Sequence, residues 1–176
     1  IGSGTILDTS RLQSTLAKRF FISPRNVHAH VYGEHGDSSF IPWSVANISN
    51  VPINDCDRLI KCTGIEMPDF NREDVERYVR KSGGVVIERK GATFYAVSAS
   101  VCHICKCLLT GIDTTMTVST MMHGEYGVED VALSVLNIIG KDGARSKVLV
   151  PLTDEERAKL VKSAETLKEV INKLDI

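Results

Sequence analysis

The chain has 176 residues, of which 43% are hydrophobic and 24% charged, so it can bury a core and is predicted to form one domain or at most two small ones. Its formal net charge of -1 provides no overall field that would attract nucleic acid or an acidic membrane. Its apolar runs are shorter than a membrane span, so we expect neither nucleic acid nor a membrane as a partner.

The first third of the chain predicts one helix and short extended segments. Apolar residues recur at roughly helical spacing over residues 5–20, which predicts a helix there. Residues 27–32 alternate weakly and predict a strand that runs into Gly33. Residues 40–53 contain two prolines and a tryptophan, which predict a short strand or turn followed by a loop.

Two helices are predicted in the middle of the chain. Asn71 suits the N-cap of a long helix. Gly83 and Gly84 within that helix should weaken it or allow another group to approach closely. Residues 93–109 predict the second helix, and because it is nearly all apolar we expect it to be buried.

The last third predicts two strands and a helix. Residues 114–122 and 131–139 have the composition of strands, and the second is followed by a turn at residues 141–143. Thr153 and Glu156 have the spacing of a capping box at the start of the last helix. Helices and strands are mixed without βαβα regularity, so the predicted fold class is α+β.

His35 is the first candidate for chemistry, in the glycine-rich stretch 32–40 (YGEHGDSSF). This stretch alone leaves three roles open, namely a catalytic acid/base, a metal ligand and a polar residue in a turn. Histidine suits proton transfer because its ordinary pKa lies near physiological pH. Such a base needs an orienting group, usually a carboxylate.

Asp8 and Arg11 are three residues apart on the first predicted helix, so they share a face. One interpretation is an exposed ion pair, which would contribute little to stability. Alternatively, Asp8 orients His35 while the guanidinium of Arg11 binds a substrate carboxylate with two hydrogen bonds. The spacing alone does not decide between these interpretations.

The five cysteines show no disulfide-framework spacing, which favours a reducing cytoplasm. The stretch 102–107 (CHICKC) has potential zinc ligands, but it lies in a predicted helix and no second cluster completes a tetrahedral site. We therefore predict packed cysteines and no metal.

Four segments in order resemble the lactate/malate dehydrogenase family, and within it the L-lactate dehydrogenases. They are residues 1–11 (IGSGTILDTSR), 33–38 (GEHGDS), 90–95 (KGATFY) and 124–131 (GEYGVEDV). The interval between Arg11 and His35 is also the one expected of that family. The resemblance covers essentially the whole chain and implies the α+β fold of the family's C-terminal domain over residues 1–176.

The resemblance implies a role for each matching residue. His35 would give a proton to the ketone oxygen of pyruvate as a hydride arrives, and take it back from lactate. Asp8 would hold the imidazole ring and stabilise its charged form. Arg11 would bind the substrate carboxylate, and Thr93 would line the pocket beside the reacting carbon.

The resemblance also implies NAD as the cofactor. Ser3 would lie near its nicotinamide end, and Val97 would pack against that ring. The family binds most of NAD in an N-terminal Rossmann half, whose glycine-rich turn does not occur in this sequence. We therefore expect a catalytic domain that is inactive alone and has its own Rossmann domain as a partner. The start at Ile1, without a methionine and inside a predicted turn, also suggests an excised piece.

Lactate is favoured over malate by Glu34, Thr93 and Trp43, although a malate or other L-2-hydroxyacid dehydrogenase remains an alternative. A non-catalytic oligomerisation module is the alternative from another class.

In many bacterial relatives fructose 1,6-bisphosphate binds at positions that correspond to Gln13 and His28. The neutral amide of Gln13 argues against that activation. The family is usually tetrameric, so we expect a cytoplasmic homotetramer.

Overall fold

Helices and antiparallel strands are mixed along the chain in the computed structural model, which describes residues 1–56 and 70–174. The helices of this part are α1 (Ile6–Arg19), α2 (Arg72–Lys90), α3 (Tyr95–Thr110) and α4 (Asp154–Ile171). Its strands are β1 (Val27–His28), β2 (Asn47–Ile48), β3 (Val51–Pro52), β4 (Thr114–His123), β5 (Glu129–Gly140) and β6 (Gly143–Lys147). This architecture confirms the predicted α+β fold class.

The strands form two antiparallel sheets of three strands each, in the orders β1-β2-β3 and β4-β5-β6. The β4-β5-β6 sheet is the larger of the two because its strands are longer. In it Val118 is opposite Val135, so the centres of the two long strands face each other. The predicted turn after β5 is present and leads into β6, a strand that the sequence did not predict. None of the described helices is both long and apolar enough to span a membrane.

The predicted strand over residues 27–32 is confirmed at its first two residues, but it is not continuous. Tyr32 forms an isolated bridge with Phe40, and between these points the backbone of Val31 pairs with side chains of α1 and of the residue before it. The amide of Val31 donates to Thr9 Oγ1 at 2.9 Å, and its carbonyl accepts from Thr5 Oγ1 at 2.5 Å. Because these hydroxyls take the place of a neighbouring strand, the segment is fixed against α1 without extending the sheet.

The predicted caps of two helices are confirmed. The side chain of Asn71 accepts from the amides of Glu73 and Asp74 at the start of α2. Thr153 and Glu156 form the reciprocal capping box of α4, with Glu156 N donating to Thr153 Oγ1 at 3.2 Å. These bonds satisfy amides that would otherwise have no partner within the helix.

The prediction that the helix after residue 92 is buried is wrong. Of α3, Ile104 and Cys107 are buried, whereas Tyr95 is 75% and Leu109 87% exposed. One face of the helix packs on α1 and β5. The apolar composition predicts burial on all sides, but in the described part of the chain no surface covers the other faces.

The hydrophobic core fixes α1, which carries Asp8 and Arg11, and the loop that carries His35. Leu12 and Leu16 of α1 pack with Val31 and Ile41, which lie on either side of residues 32–40, the histidine loop. A second group of buried residues joins this loop to β5 and α4, and comprises Tyr32, Phe40, Leu133 and Leu160 among others. The loop is therefore held between α1 and the larger sheet.

Candidate active site

His35 and Asp8 are in direct contact, although 27 residues separate them in the chain. His35 Nδ1 lies 2.6 Å from Asp8 Oδ2. A carboxylate only accepts hydrogen bonds, so Nδ1 carries the proton and donates it. The ring nitrogen that remains for other partners is Nε2. The side chain of His35 is 63% exposed and that of Asp8 is 7% exposed, so a buried acid orients an accessible imidazole.

Arg11 binds the other oxygen of the same carboxylate. Its Nη1 donates to Asp8 Oδ1 at 3.0 Å, from one turn further along α1. The two side chains are 16% and 7% exposed, which rules out the interpretation of an exposed surface ion pair. Asp8 therefore sets the positions of a histidine and an arginine relative to each other.

The hydrogen bond that His35 donates to Asp8 raises the pKa of His35 above its ordinary value of 6.5. Partial burial of the ring acts in the opposite direction, as does the positive charge of Arg11. The carboxylate outweighs both because it stabilises the charged imidazolium directly. His35 consequently stays protonated to a higher pH than a free histidine.

The loop that carries His35 is attached to α4 through Ser163, which is fully buried. Ser163 Oγ accepts from the amide of Glu34 at 2.8 Å and from Ser38 Oγ at 2.9 Å. Gly33 has a φ of +96°, and a Cβ there would lie 2.6 Å from Ser163 Oγ. A larger residue at position 33 would therefore displace the loop from its anchor.

Ser134 on β5 connects the histidine loop to the start of α1. Its backbone pairs with Gly33 in both directions at 3.0 Å. Its side chain accepts from the amide of Thr5 at 3.1 Å, immediately before the helix that carries Asp8 and Arg11. One strand residue thus holds both halves of the candidate site.

A cavity of about 370 Å³ opens beside these groups. Asp8, Arg11 and His35 lie along it, and so do Thr93 and Val97, which the sequence had also proposed. Its remaining lining residues are Leu7, Gly36, Asp37, Ser39, Arg80, Gly83, Gly84 and Ile87. The structure therefore brings together five of the eight candidate residues, from α1, the histidine loop, α3 and the turn before it.

The other three candidates do not line this cavity. Ser3 lies in the turn before α1, where its carbonyl accepts from the amide of Ile6. Gln13 donates its side-chain amide to the carbonyl of Ala29 at 3.3 Å, and His28 is exposed on β1.

Sequence reasoning missed the part that α2 plays in the cavity. Arg80 donates to the carbonyl of Asp37 at 3.2 Å and pairs with Glu76 at 3.1 Å, so it ties α2 to the histidine loop. Gly83 and Gly84 form the adjacent wall. The two glycines inside a predicted helix were the available signal, but no pattern showed which surface they would face.

The cysteine-rich stretch does not assemble a metal site. Cys102 and Cys105 are exposed, which corrects the prediction that they pack in the interior, whereas Cys107 is buried. Within the described ranges, no three histidine, cysteine or acidic side chains are grouped closely enough to hold a metal ion.

This fold and this grouping define an α+β domain in which an acid-oriented histidine lies beside an arginine, the side-chain types suited to proton transfer and to binding an anion. The family model for the lactate/malate dehydrogenase, alpha/beta C-terminal domain, matches residues 5–175. The chain therefore belongs to the lactate/malate dehydrogenase family, which confirms the resemblance seen in its sequence.

Proteins with similar sequences are named L-lactate dehydrogenases. That of Clostridium botulinum (strain 657 / Type Ba4) is 44% identical over 172 residues, which cover 98% of this chain and 53% of the relative. That of Thermoanaerobacterium saccharolyticum is 42% identical over 175 residues, with 99% and 55% covered. The chain thus spans about half the length of these relatives.

Solved structures of similar fold carry the same name. The L-lactate dehydrogenase of Clostridium thermocellum superposes with a TM-score of 0.88 at 34% identity, covering 100% of this chain and 56% of that one. A minor L-lactate dehydrogenase of Enterococcus mundtii gives a TM-score of 0.89 at 30% identity, with 100% and 55% covered.

Proposed function

We propose that this chain is the substrate-binding domain of an NAD-dependent L-lactate dehydrogenase, which interconverts pyruvate and L-lactate. The observation that carries the proposal is the bridging of His35 and Arg11 by the two oxygens of Asp8, beside a cavity of about 370 Å³. The names of the relatives support this reaction over others that the same groups could serve.

The side chains suit the two ends of a 2-oxo acid. The guanidinium of Arg11 can bind the substrate carboxylate, since only its Nη1 is engaged by Asp8 in the described contacts. His35 Nε2 is then the donor for the ketone oxygen on the next carbon. As the carbonyl becomes an alcohol, its oxygen gains the proton that His35 loses, and Asp8 stabilises the imidazolium that precedes this transfer.

NADH, when bound, supplies the hydride for the carbonyl carbon. Leu7 and Val97 give the cavity an apolar wall that fits a nicotinamide ring, with Thr93 beside it. We assign Val97 to that contact. For Ser3 we retain the role near the nicotinamide end as a prediction, since it lies outside the cavity lining of this chain.

The rest of the proposal concerns the whole protein. We propose that a Rossmann domain binds most of NAD and docks on this one, that the protein assembles as a homotetramer, and that this chain alone does not turn over. A reducing cytoplasm suits Cys102, Cys105 and Cys107, which are free thiols.

The test is NADH oxidation driven by pyruvate in the natural full-length protein. His35→Asn should lower kcat by about 10²–10⁴-fold, because a positioned acid/base contributes that much. His123→Asn is the matched control, since His123 is exposed at the end of β4, away from the cavity. If the wild-type protein reduced oxaloacetate instead of pyruvate, the assignment would change from a lactate to a malate dehydrogenase. Absence of turnover with any 2-oxo acid would favour a non-catalytic assembly module.

A further inference from the structure

Gly83 and Gly84 lie in the middle of α2, where each destabilises the helix by about 1 kcal/mol relative to alanine. Neither has a positive φ, so the backbone conformation does not require glycine. A Cβ on Gly83 would meet Arg11 Nη1 at an ordinary 3.9 Å, and a Cβ on Gly84 would meet no described atom within 4 Å. Close packing within the described part of the chain therefore does not require glycine either.

Both glycines line the cavity that holds Arg11 and His35. Their missing side chains leave this wall open next to the guanidinium proposed to bind the substrate carboxylate. The nicotinamide ring assigned to Val97 would occupy the α3 side, which leaves the α2 side for the substrate. Ile87, one turn further along α2, adds an apolar surface to the same wall.

The charges around this space favour an uncharged substrate side chain. Arg80 is the other arginine on the cavity wall, and it is engaged by Glu76 and by the carbonyl of Asp37. Asp37 also lines the cavity, and its negative charge would repel a second acidic group on the substrate. The space beside the glycines is thus suited to hydrocarbon.

We infer that the wall formed by Gly83 and Gly84 admits 2-oxo acids whose apolar side chains are two or three carbons longer than the methyl group of pyruvate. This inference rests on the proposed function and extends it to a substrate class. Gly83 and Gly84 are specificity-determining residues in this account, and they act by leaving space rather than by making a contact.

The experiment compares pyruvate with 2-oxopentanoate as substrates of the natural full-length protein, with NADH. We expect kcat/KM for 2-oxopentanoate to lie within tenfold of that for pyruvate. Gly84→Leu and Gly83→Ala each fill part of the space. Gly84→Leu should lower the ratio of kcat/KM for 2-oxopentanoate to kcat/KM for pyruvate by tenfold or more. Lys81→Leu adds the same side chain to α2 outside this cavity and should change the ratio by less than twofold.

Two results would overturn the inference while the proposed function stood. One is a wild-type kcat/KM for 2-oxopentanoate more than tenfold below that for pyruvate. The other is a ratio that neither glycine substitution changes, which would mean that another part of the full-length protein fills this space. If the wild-type protein turned over no 2-oxo acid, that result would instead contradict the proposed function itself. Circular dichroism on Gly83→Ala, which favours the helix, shows whether α2 is intact.

Discussion

At the scale of single residues, the site depends on how Asp8 divides its two oxygens. Oδ2 accepts from His35 and Oδ1 from Arg11, at 2.6 and 3.0 Å. Asp8, which raises the pKa of the proposed proton donor, therefore also fixes the cation proposed to bind the substrate. Since Asp8 is buried and on the first turn of α1, its own position is set by the helix.

Arg11→Lys tests the carboxylate-binding role at this scale. Lysine keeps the charge but cannot present two parallel donors, so one charge-assisted hydrogen bond to the substrate is lost. A loss of about 1.5–3 kcal/mol corresponds to roughly 10- to 150-fold in kcat/KM for pyruvate, carried mainly by KM. Steady-state kinetics of the full-length protein measure it. Arg77→Lys, on the exposed side of α2, is the control and should be neutral. An unchanged KM in Arg11→Lys would exclude the assigned role.

At the scale of elements, the site is assembled by attachments between α1, the histidine loop, β5 and α4. Ser134 and Ser163 are the attachment points, and both are buried. Ser163 accepts from two donors of the histidine loop, so α4 fixes a loop that is far from it in sequence. This attachment explains why the polar Ser163 interrupts the apolar side of α4.

Ser163→Ala should destabilise the domain by about 1–3 kcal/mol, because the amide of Glu34 and the hydroxyl of Ser38 lose a buried acceptor. Urea denaturation of this chain measures the change in the free energy of unfolding. Thr166→Ala is the matched control on α4, since its hydroxyl donates to the carbonyl of Lys162 in the same helix. It should change stability by no more than about 0.5 kcal/mol. Equal effects of the two substitutions would show that Ser163 does not anchor the loop.

The sequence predicted those elements best whose signals are local. The caps of α2 and α4 and the long strands β4 and β5 follow from patterns within a few residues, and the structure confirms them. The strand after residue 28 failed because hydroxyls of Thr5 and Thr9 replace a strand partner. Such a substitution depends on tertiary contacts that periodicity does not report.

At the scale of the whole molecule, the sequence pattern did not show how far α3 is buried or which residues of α2 line the cavity. The burial of α3 depends on what covers it, and in the part of the chain that the structure describes its outer faces remain exposed. The cavity depends on which face of α2 meets the histidine loop, so Arg80 and the two glycines were not identified as lining residues. By contrast, Asp8, Arg11, His35 and Thr93 came from motifs whose order along the chain matches a known family.

The chain and its relatives also differ in extent, since it spans about half of their length. Its residues would provide the proton donor, the carboxylate ligand and one wall for the nicotinamide. We therefore propose the activity for the full-length protein, in which this domain would supply the substrate half of the site.

The pH dependence of pyruvate reduction in the full-length protein, with and without the Asp8 carboxylate, tests the central claim most directly. The donor must be protonated, so kcat/KM should fall as the pH rises through the pKa of His35, which Asp8 raises above 6.5. In Asp8→Asn the charge is lost while the shape is kept, so this fall should move to lower pH. A profile that Asp8→Asn leaves in place would show that His35 is not the proton donor.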